Sequence, residues 1–169
     1  MTNFTCSLSP AIKIATAVVV IALMSGPIAM VAVALWIAPG MASPWLLLAA
    51  GSMVLTLVGT WVFAPLGYQV TGDGVIVRRP MGALRIPAAN LASVERVPSS
   101  AIGLGIRLCA SGGLFGVFGL FWSKGLGRFW MWGTRGDHLV LLRLRTGLPV
   151  LLTPDDDEGL TKAAVALVR

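Results

Sequence analysis

Two apolar runs, Ile14–Ile37 and Trp45–Phe63, dominate the hydrophobic pattern, and neither carries a charge. A helix rises ~1.5 Å per residue, so about 20 apolar residues cross the hydrocarbon of a bilayer. Backbone polar groups in lipid must pair within their own segment, which makes each run a helix. The pattern therefore predicts a membrane α-helical hairpin of two transmembrane helices, 14–37 and 45–64, behind an N-terminal tail, 1–13. Gly26-Pro27 predicts a kink in the first helix, because proline removes a donor and crowds the preceding turn. The breaker-rich connector Ala38-Pro39-Gly40-Met41-Ala42-Ser43-Pro44 predicts a tight turn. Trp36, Trp45 and Trp61 stand where indole rings favour the headgroup region. Small residues at four-residue spacing, Ala22/Gly26, Ser25/Ala29 and Ser52/Thr56/Thr60, predict close packing within the hairpin or, along the same ridge, between copies of the chain. The first run is longer than a signal-peptide core and only Lys13 precedes it, so a retained anchor is expected.

Beyond Leu66 the period changes to that of strands. Tyr68-Gln69-Val70 and Val75-Ile76-Val77 flank Thr71-Gly72-Asp73-Gly74, a tight-turn signal, and predict a hairpin. Further strands are expected at Ala83–Ile86, Leu91–Val97, Ile106–Cys109, Arg128–Trp132, Leu139–Leu144 and Val150–Leu152. The chain then reads as a helix, with Thr153 as cap, Pro154 at the first position and Asp155, Asp156, Asp157 and Glu158 loading the first turns with negative charge. Leu160, Ala163, Ala164 and Leu167 give that helix one apolar face. The expected fold of 66–169 is a mainly-β barrel of antiparallel strands capped by a C-terminal helix.

The stretch from Leu104 to Thr134 alternates glycine with aromatic and aliphatic residues, with Gly113, Gly116 and Gly119 at every third position. Two arrangements suit it. The glycines can allow tight bends while Phe115, Phe118, Phe121 and Trp122 fill the core. Alternatively an exposed loop presents Phe115, Phe118, Trp122, Lys124 and Arg128 to the bilayer surface or to a partner. Those five residues are the candidate interaction loop. Neither the dinucleotide fingerprint GxGxxG nor a phosphate loop occurs in the stretch.

Charge places these elements. The 169 residues carry a net charge of +6, with mean hydropathy +0.85. Lys13 is the sole charged residue before Asp73, whereas Arg78, Arg79 and Arg85 closely follow the second run. The bias toward positive residues on cytoplasmic flanks puts both termini in the cytoplasm of a multi-pass protein of the cell membrane. The basic residues are scattered and no nucleic-acid motif accompanies them, so nucleic acid is not an expected partner. Cys6 and Cys109 lie far apart on the reducing side and predict no disulfide. Cys6, Cys109 and the single histidine, His138, lack ligand spacing, so no metal and no cofactor is expected. The acid run Asp155–Glu158 reads as a helix start and not as a cation site. His138 with Asp137 beside it makes no catalytic pair, since neighbours on a strand face opposite ways. No catalytic residue is expected and the chain does not read as an enzyme.

The region Tyr68–Leu160 resembles the bacterial PH-like (pleckstrin-homology-like) domain family of small membrane-anchored proteins. The resemblance rests on Tyr68-x-Val70, Asp73-Gly74, Arg79-Pro80-x-Gly82, Ile86-Pro87 and Arg107. It continues through Gly112-Gly113-x-x-Gly116-x-x-Gly119-x-Phe121, Leu126-Gly127-Arg128-Phe129, Thr134 and Thr153-Pro154-Asp155-Asp156. It implies a PH-like barrel without known enzymatic activity. Trp122 and Trp130-Met131-Trp132 stand where that family tends to be polar. The first-hairpin loop, where eukaryotic PH domains gather basic residues around inositol phosphates, holds an acid and no base here. The expected function is a membrane-anchored, non-enzymatic PH-like binding module at the cytoplasmic surface, taking a protein partner or anionic lipid headgroups. The alternative is an accessory subunit of a membrane transport or channel complex.

Overall fold

The computed structural model describes residues 1–33, 36, 44–102 and 105–168. Among the described residues, ten strands form two sheets. The smaller holds β1 (Thr2–Thr5), β2 (Gly67–Thr71), β3 (Gly74–Arg78) and β4 (Ala83–Pro87), side by side in that order. The larger holds β5 (Leu91–Val97), β6 (Ile106–Gly112), β7 (Val117–Ser123), β8 (Gly127–Gly133), β9 (Leu139–Leu144) and β10 (Val150–Leu152), in the order β5-β9-β10-β8-β7-β6. The helices are α1 (Pro10–Ala32), α2 (Pro44–Phe63), the single turn α3 (Ser99–Ile102) and α4 (Asp157–Val165).

The stretch treated as a tail, 1–13, is partly structure. Thr2–Thr5 pairs antiparallel with the strand that follows α2, with Phe4 opposite Tyr68 and Thr5 opposite Gly67. Both long apolar helices are thus an insertion between two neighbouring strands of one sheet. The link from β1 to α1 is strapped to the domain: Ser9 N–H donates to Thr134 O at 3.1 Å, Asp155 N–H to Thr5 O at 3.0 Å, and the Thr134 hydroxyl to Ser7 O at 2.8 Å. Ser9 caps α1 by accepting from Ile12 N–H, and Pro10 takes the first turn, where its missing donor costs nothing.

Helix α1 is long and apolar enough to cross a membrane, while Leu48–Phe63 of α2 is apolar but shorter. The two helices pack together. Gly26 of α1 faces the Met53 sulfur, the close approach that a small residue permits. The helical backbone runs on through Pro27, which is buried. Ser52 and Thr56 are exposed instead of lining the contact with α1, and their hydroxyls donate to Ala49 O and Ser52 O of their own helix. Ile14, Ile21, Ile28, Leu55 and Trp61 form exposed apolar outer faces. Trp36 is exposed. The connector 38–43, Ile37 and the side chain of Trp45 lie outside the described residues.

Strands β9 and β10 are buried on both faces. Val140, Leu142, Val150 and Leu152 join one core, shared with Tyr68, Val75, Val77, Phe118, Trp132 and Leu160. Leu139, Leu141 and Leu151 join Phe121, Phe129 and Met131 in a second core on the opposite face. Two-sided burial explains why these strands read as continuous apolar runs. One pair departs from the antiparallel expectation: β10 runs parallel to β8, with Leu151 opposite Met131.

The C-terminal helix begins three residues later than its sequence signals suggest. Asp156 is the cap, accepting from Gly159 N–H at 2.8 Å. Thr153 and Pro154 precede the helix and are buried. The Thr153 hydroxyl accepts from Thr134 N–H at 2.8 Å, so it is spent on the sheet and not on the helix. Leu160 and Ala164 are fully buried against the first core, with Ala163 and Leu167 beside them.

Candidate functional site

The glycine-aromatic stretch is a three-stranded meander and not a loop. Sequence reading missed its middle strand, β7, because Gly119 interrupts the apolar alternation. Glycine is required there: φ is +124°, and a Cβ would come within 2.5 Å of Cys109 O on β6. The β6–β7 turn carries Gly113, with φ +107°, and Phe115, with φ +58°. It docks on α1, where the Thr16 hydroxyl donates to Gly113 O at 2.9 Å and accepts from Phe115 N–H at 3.1 Å.

The five candidate interaction residues are therefore divided. Phe115 sits at the turn, half-buried against the first core. Phe118 is buried and its ring stacks parallel to Trp132, centroids 6.1 Å apart. It is a core residue. Trp122 is 39% exposed on β7. Lys124, in the β7–β8 turn, and Arg128, opposite Trp122 on β8, are exposed. No single loop gathers them: Phe115 lies in the β6–β7 turn, Phe118 and Trp122 on β7, Lys124 in the β7–β8 turn and Arg128 on β8.

A different set of residues converges. Arg128, Trp130 and Trp132 alternate along one face of β8, and the indoles of Trp130 and Trp132 stack with centroids 6.4 Å apart. The Arg79 guanidinium lies 5.0 Å above the Trp132 ring and 5.8 Å from the ring of Phe63, the last residue of α2. Arg78 precedes Arg79, is exposed, and points away from the core. Sequence spacing rightly separates the two arginines by face. The value of Arg79 emerges only when the end of α2 and strand β8 come together.

Beside this row a cavity of about 470 Å³ opens between the two sheets. Leu84 and Ile86 of β4 form one wall, Trp130, Trp132 and Val150 the other, and Leu144 and Leu148 the end. Asn90, also at its edge, is satisfied by Thr146: its amide donates to Thr146 O at 3.1 Å, and its oxygen accepts from Thr146 N–H at 3.0 Å. A strand at a sheet edge leaves one row of backbone groups unpaired, and β4 is such a strand beside this cavity.

The remaining polar clusters hold the fold. The four acids of 155–158 go to separate partners. Asp155 accepts from Ser7 N–H and Oγ and from Arg135 Nη1. Asp157 pairs with Arg96 at 2.7 Å and His138 Nδ1 at 3.1 Å. Glu158 pairs with Lys162 one turn on. No group of three metal-ligating side chains occurs among the described residues. His138, at φ +55°, reaches Asp157 and lies 3.8 Å from Asp137. Cys6 and Cys109 are both free thiols. Burial pushes the Cys6 thiol up to about 11, while Cys109 is exposed. The buried Tyr68 hydroxyl is pushed above its ordinary range by desolvation. It donates to Trp132 O at 2.6 Å and accepts from Thr153 N–H at 3.2 Å.

No curated protein and no solved structure matches the chain. The family described as "Bacterial PH domain" matches residues 66–167, which takes in every strand from β2 to β10 and the C-terminal helix. With more than half of its length inside that match, the chain belongs to the bacterial PH domain family.

Proposed function

We propose that the protein is a non-enzymatic PH-like binding module held at the cytoplasmic surface of the cell membrane by a two-helix hairpin, where it takes a protein partner or lipid headgroups. The observation that carries this reading is the pairing of Thr5 with Gly67. It returns both apolar helices to one point on the domain, as a hairpin entering and leaving a bilayer from one side requires. The outward apolar faces of α1 and α2 support it, since exposed apolar area of that extent on a water-soluble surface is costly. Arg78, Arg79 and Arg85 follow α2, which favours the cytoplasmic side.

Cys109 is an exposed natural reporter, whereas the half-buried Cys6 thiol resists deprotonation. In bacterial spheroplasts carrying the full chain with Cys6→Ser, a membrane-impermeant maleimide should label Cys109 only after lysis. Labelling of intact spheroplasts would overturn the orientation. Recovery of the chain in the soluble fraction would overturn the anchor. Affinity purification in mild detergent, with mass spectrometry of proteins and lipids, then identifies what the module binds.

A further inference from the structure

The inter-sheet cavity is not part of the helix-anchoring machinery, and neither the family match nor the fold requires it to be open. We propose that it binds the apolar chain of a single-chain anionic amphiphile delivered from the bilayer, with the anionic head at Arg79. The proposal relies on the membrane-held reading only for the source of the ligand.

Four observations support it. The volume, about 470 Å³, falls within the range of about 300–1,000 Å³ typical of small-ligand sites. Its walls are mostly aliphatic and aromatic, with Leu84, Ile86, Leu144, Leu148 and Trp130 among them, and the exposed Arg85 also lines it. Asn90 already has its partners, so the interior asks for hydrocarbon and not for a polar molecule. At the Trp132 end, two buried donors, Trp132 Nε1 and Arg79 Nε, have no hydrogen-bond acceptor. Buried donors are otherwise almost always paired, so an acceptor group belongs near this end.

The location selects an amphiphile of membrane origin. Arg79 touches both Phe63, at the end of α2, and Trp132, in the cavity wall. The path from the helix end to the cavity is thus one arginine long. Arg79 favours a negative head over a positive one, since a guanidinium pairs with carboxylate and phosphate alike. A fatty acid carboxylate and a lysophospholipid phosphate share this chemistry.

Full-length protein in phosphatidylcholine nanodiscs can be titrated calorimetrically with decanoate, decyl phosphate and decyltrimethylammonium, with empty nanodiscs giving the partition baseline. Saturable one-to-one uptake of the two anions is expected, with the cation at least tenfold weaker. The preferred anion tells a carboxylate source from a phosphate source. Filling the cavity with Leu148→Trp should abolish uptake, and Leu84→Phe on the opposite wall should weaken it if the first variant fails to fold. Arg79→Gln should cost about tenfold for the anions and leave decanol uptake unchanged. Three results would each overturn the proposal. They are the absence of saturable uptake, uptake unchanged by both cavity variants, and equal binding of cation and anion. None of these outcomes moves the Cys109 labelling, so failure here is distinguishable from failure of the membrane reading.

Discussion

Thr16, in the second turn of α1, and Gly113, in the β6–β7 turn, are joined by a 2.9 Å hydrogen bond, and the same hydroxyl accepts from Phe115 N–H at 3.1 Å. One side chain thereby satisfies a donor and an acceptor of a turn held at positive φ, and fixes the meander to the helix. Thr16→Val keeps the shape and removes both bonds. A loss of about 1–3 kcal/mol is expected, the usual cost of unpaired buried groups. Hydrogen exchange should quicken at the Phe115 amide while Val140–Leu142 stays protected. Unchanged exchange at Phe115 would show that the turn holds without the helix.

The Tyr68 hydroxyl joins the two sheets, through Trp132 O on one side and Thr153 N–H on the other. Tyr68→Phe leaves both partners buried and unpaired, at about 1–3 kcal/mol. The readout is the thermal midpoint in detergent. The ring still fills its site, so the two-sheet fold should persist, with near-ultraviolet circular dichroism altered only slightly. Loss of all tertiary signal would mean that the hydroxyl is required for folding.

Strand β1 covers the edge of β2. Removing residues 1–5 uncovers that edge, takes Phe4 from the core and leaves Asp155 N–H without its acceptor, Thr5 O. Uncovered edges invite association. The truncated chain should elute as larger species in detergent and be cut by protease near β2, whereas a single Thr2→Ala should behave as the parent. An intact, monodisperse truncation would show that β1 is dispensable.

Much of the smaller sheet and of β9 could be read from local patterns: turn residues at Thr71–Gly74, β-branched runs and the apolar Leu139–Leu142. Three features could not, each because a distant partner decides them. Thr2–Thr5 is short and polar, and its strand state depends on Gly67–Val70, more than sixty residues away. Val117–Ser123 is interrupted by Gly119, and what makes it a strand is the close approach of Ala110 on β6. Thr153 has the chemistry of a helix cap, but the amide of Thr134 claims its hydroxyl, so Asp156 takes the role. The convergence of Phe63, Arg79 and Trp132 was hidden for the same reason, and the only local hint was an indole pair, Trp130 and Trp132, at strand spacing.

Acid should loosen the C-terminal helix before the rest of the domain. Burial disfavours the charged form of Asp157, but hydrogen bonds from His138 and Arg96 and their positive charge outweigh it, holding the carboxyl below the ordinary range. Asp155 follows the same logic, with burial opposed by Ser7, Thr5 and Arg135. A carboxylate with a folded value below the unfolded one, about 3.9, contributes stability that is fully present above that value. The contribution is lost as pH falls through the lower, folded value. Asp137 also faces His138, and Glu158 and Lys162 lie on the same helix, so Arg96 and His138 are the cations that Asp157 neutralises from outside its own element. Asp157→Asn should therefore cost about 1 kcal/mol near pH 7, and the deficit against the parent should shrink steadily below pH 4. Thermal midpoints of both proteins between pH 7 and pH 3 measure this directly. A deficit that stays constant over that range would show that the Asp157 contacts act through shape alone and that its ionisation contributes nothing.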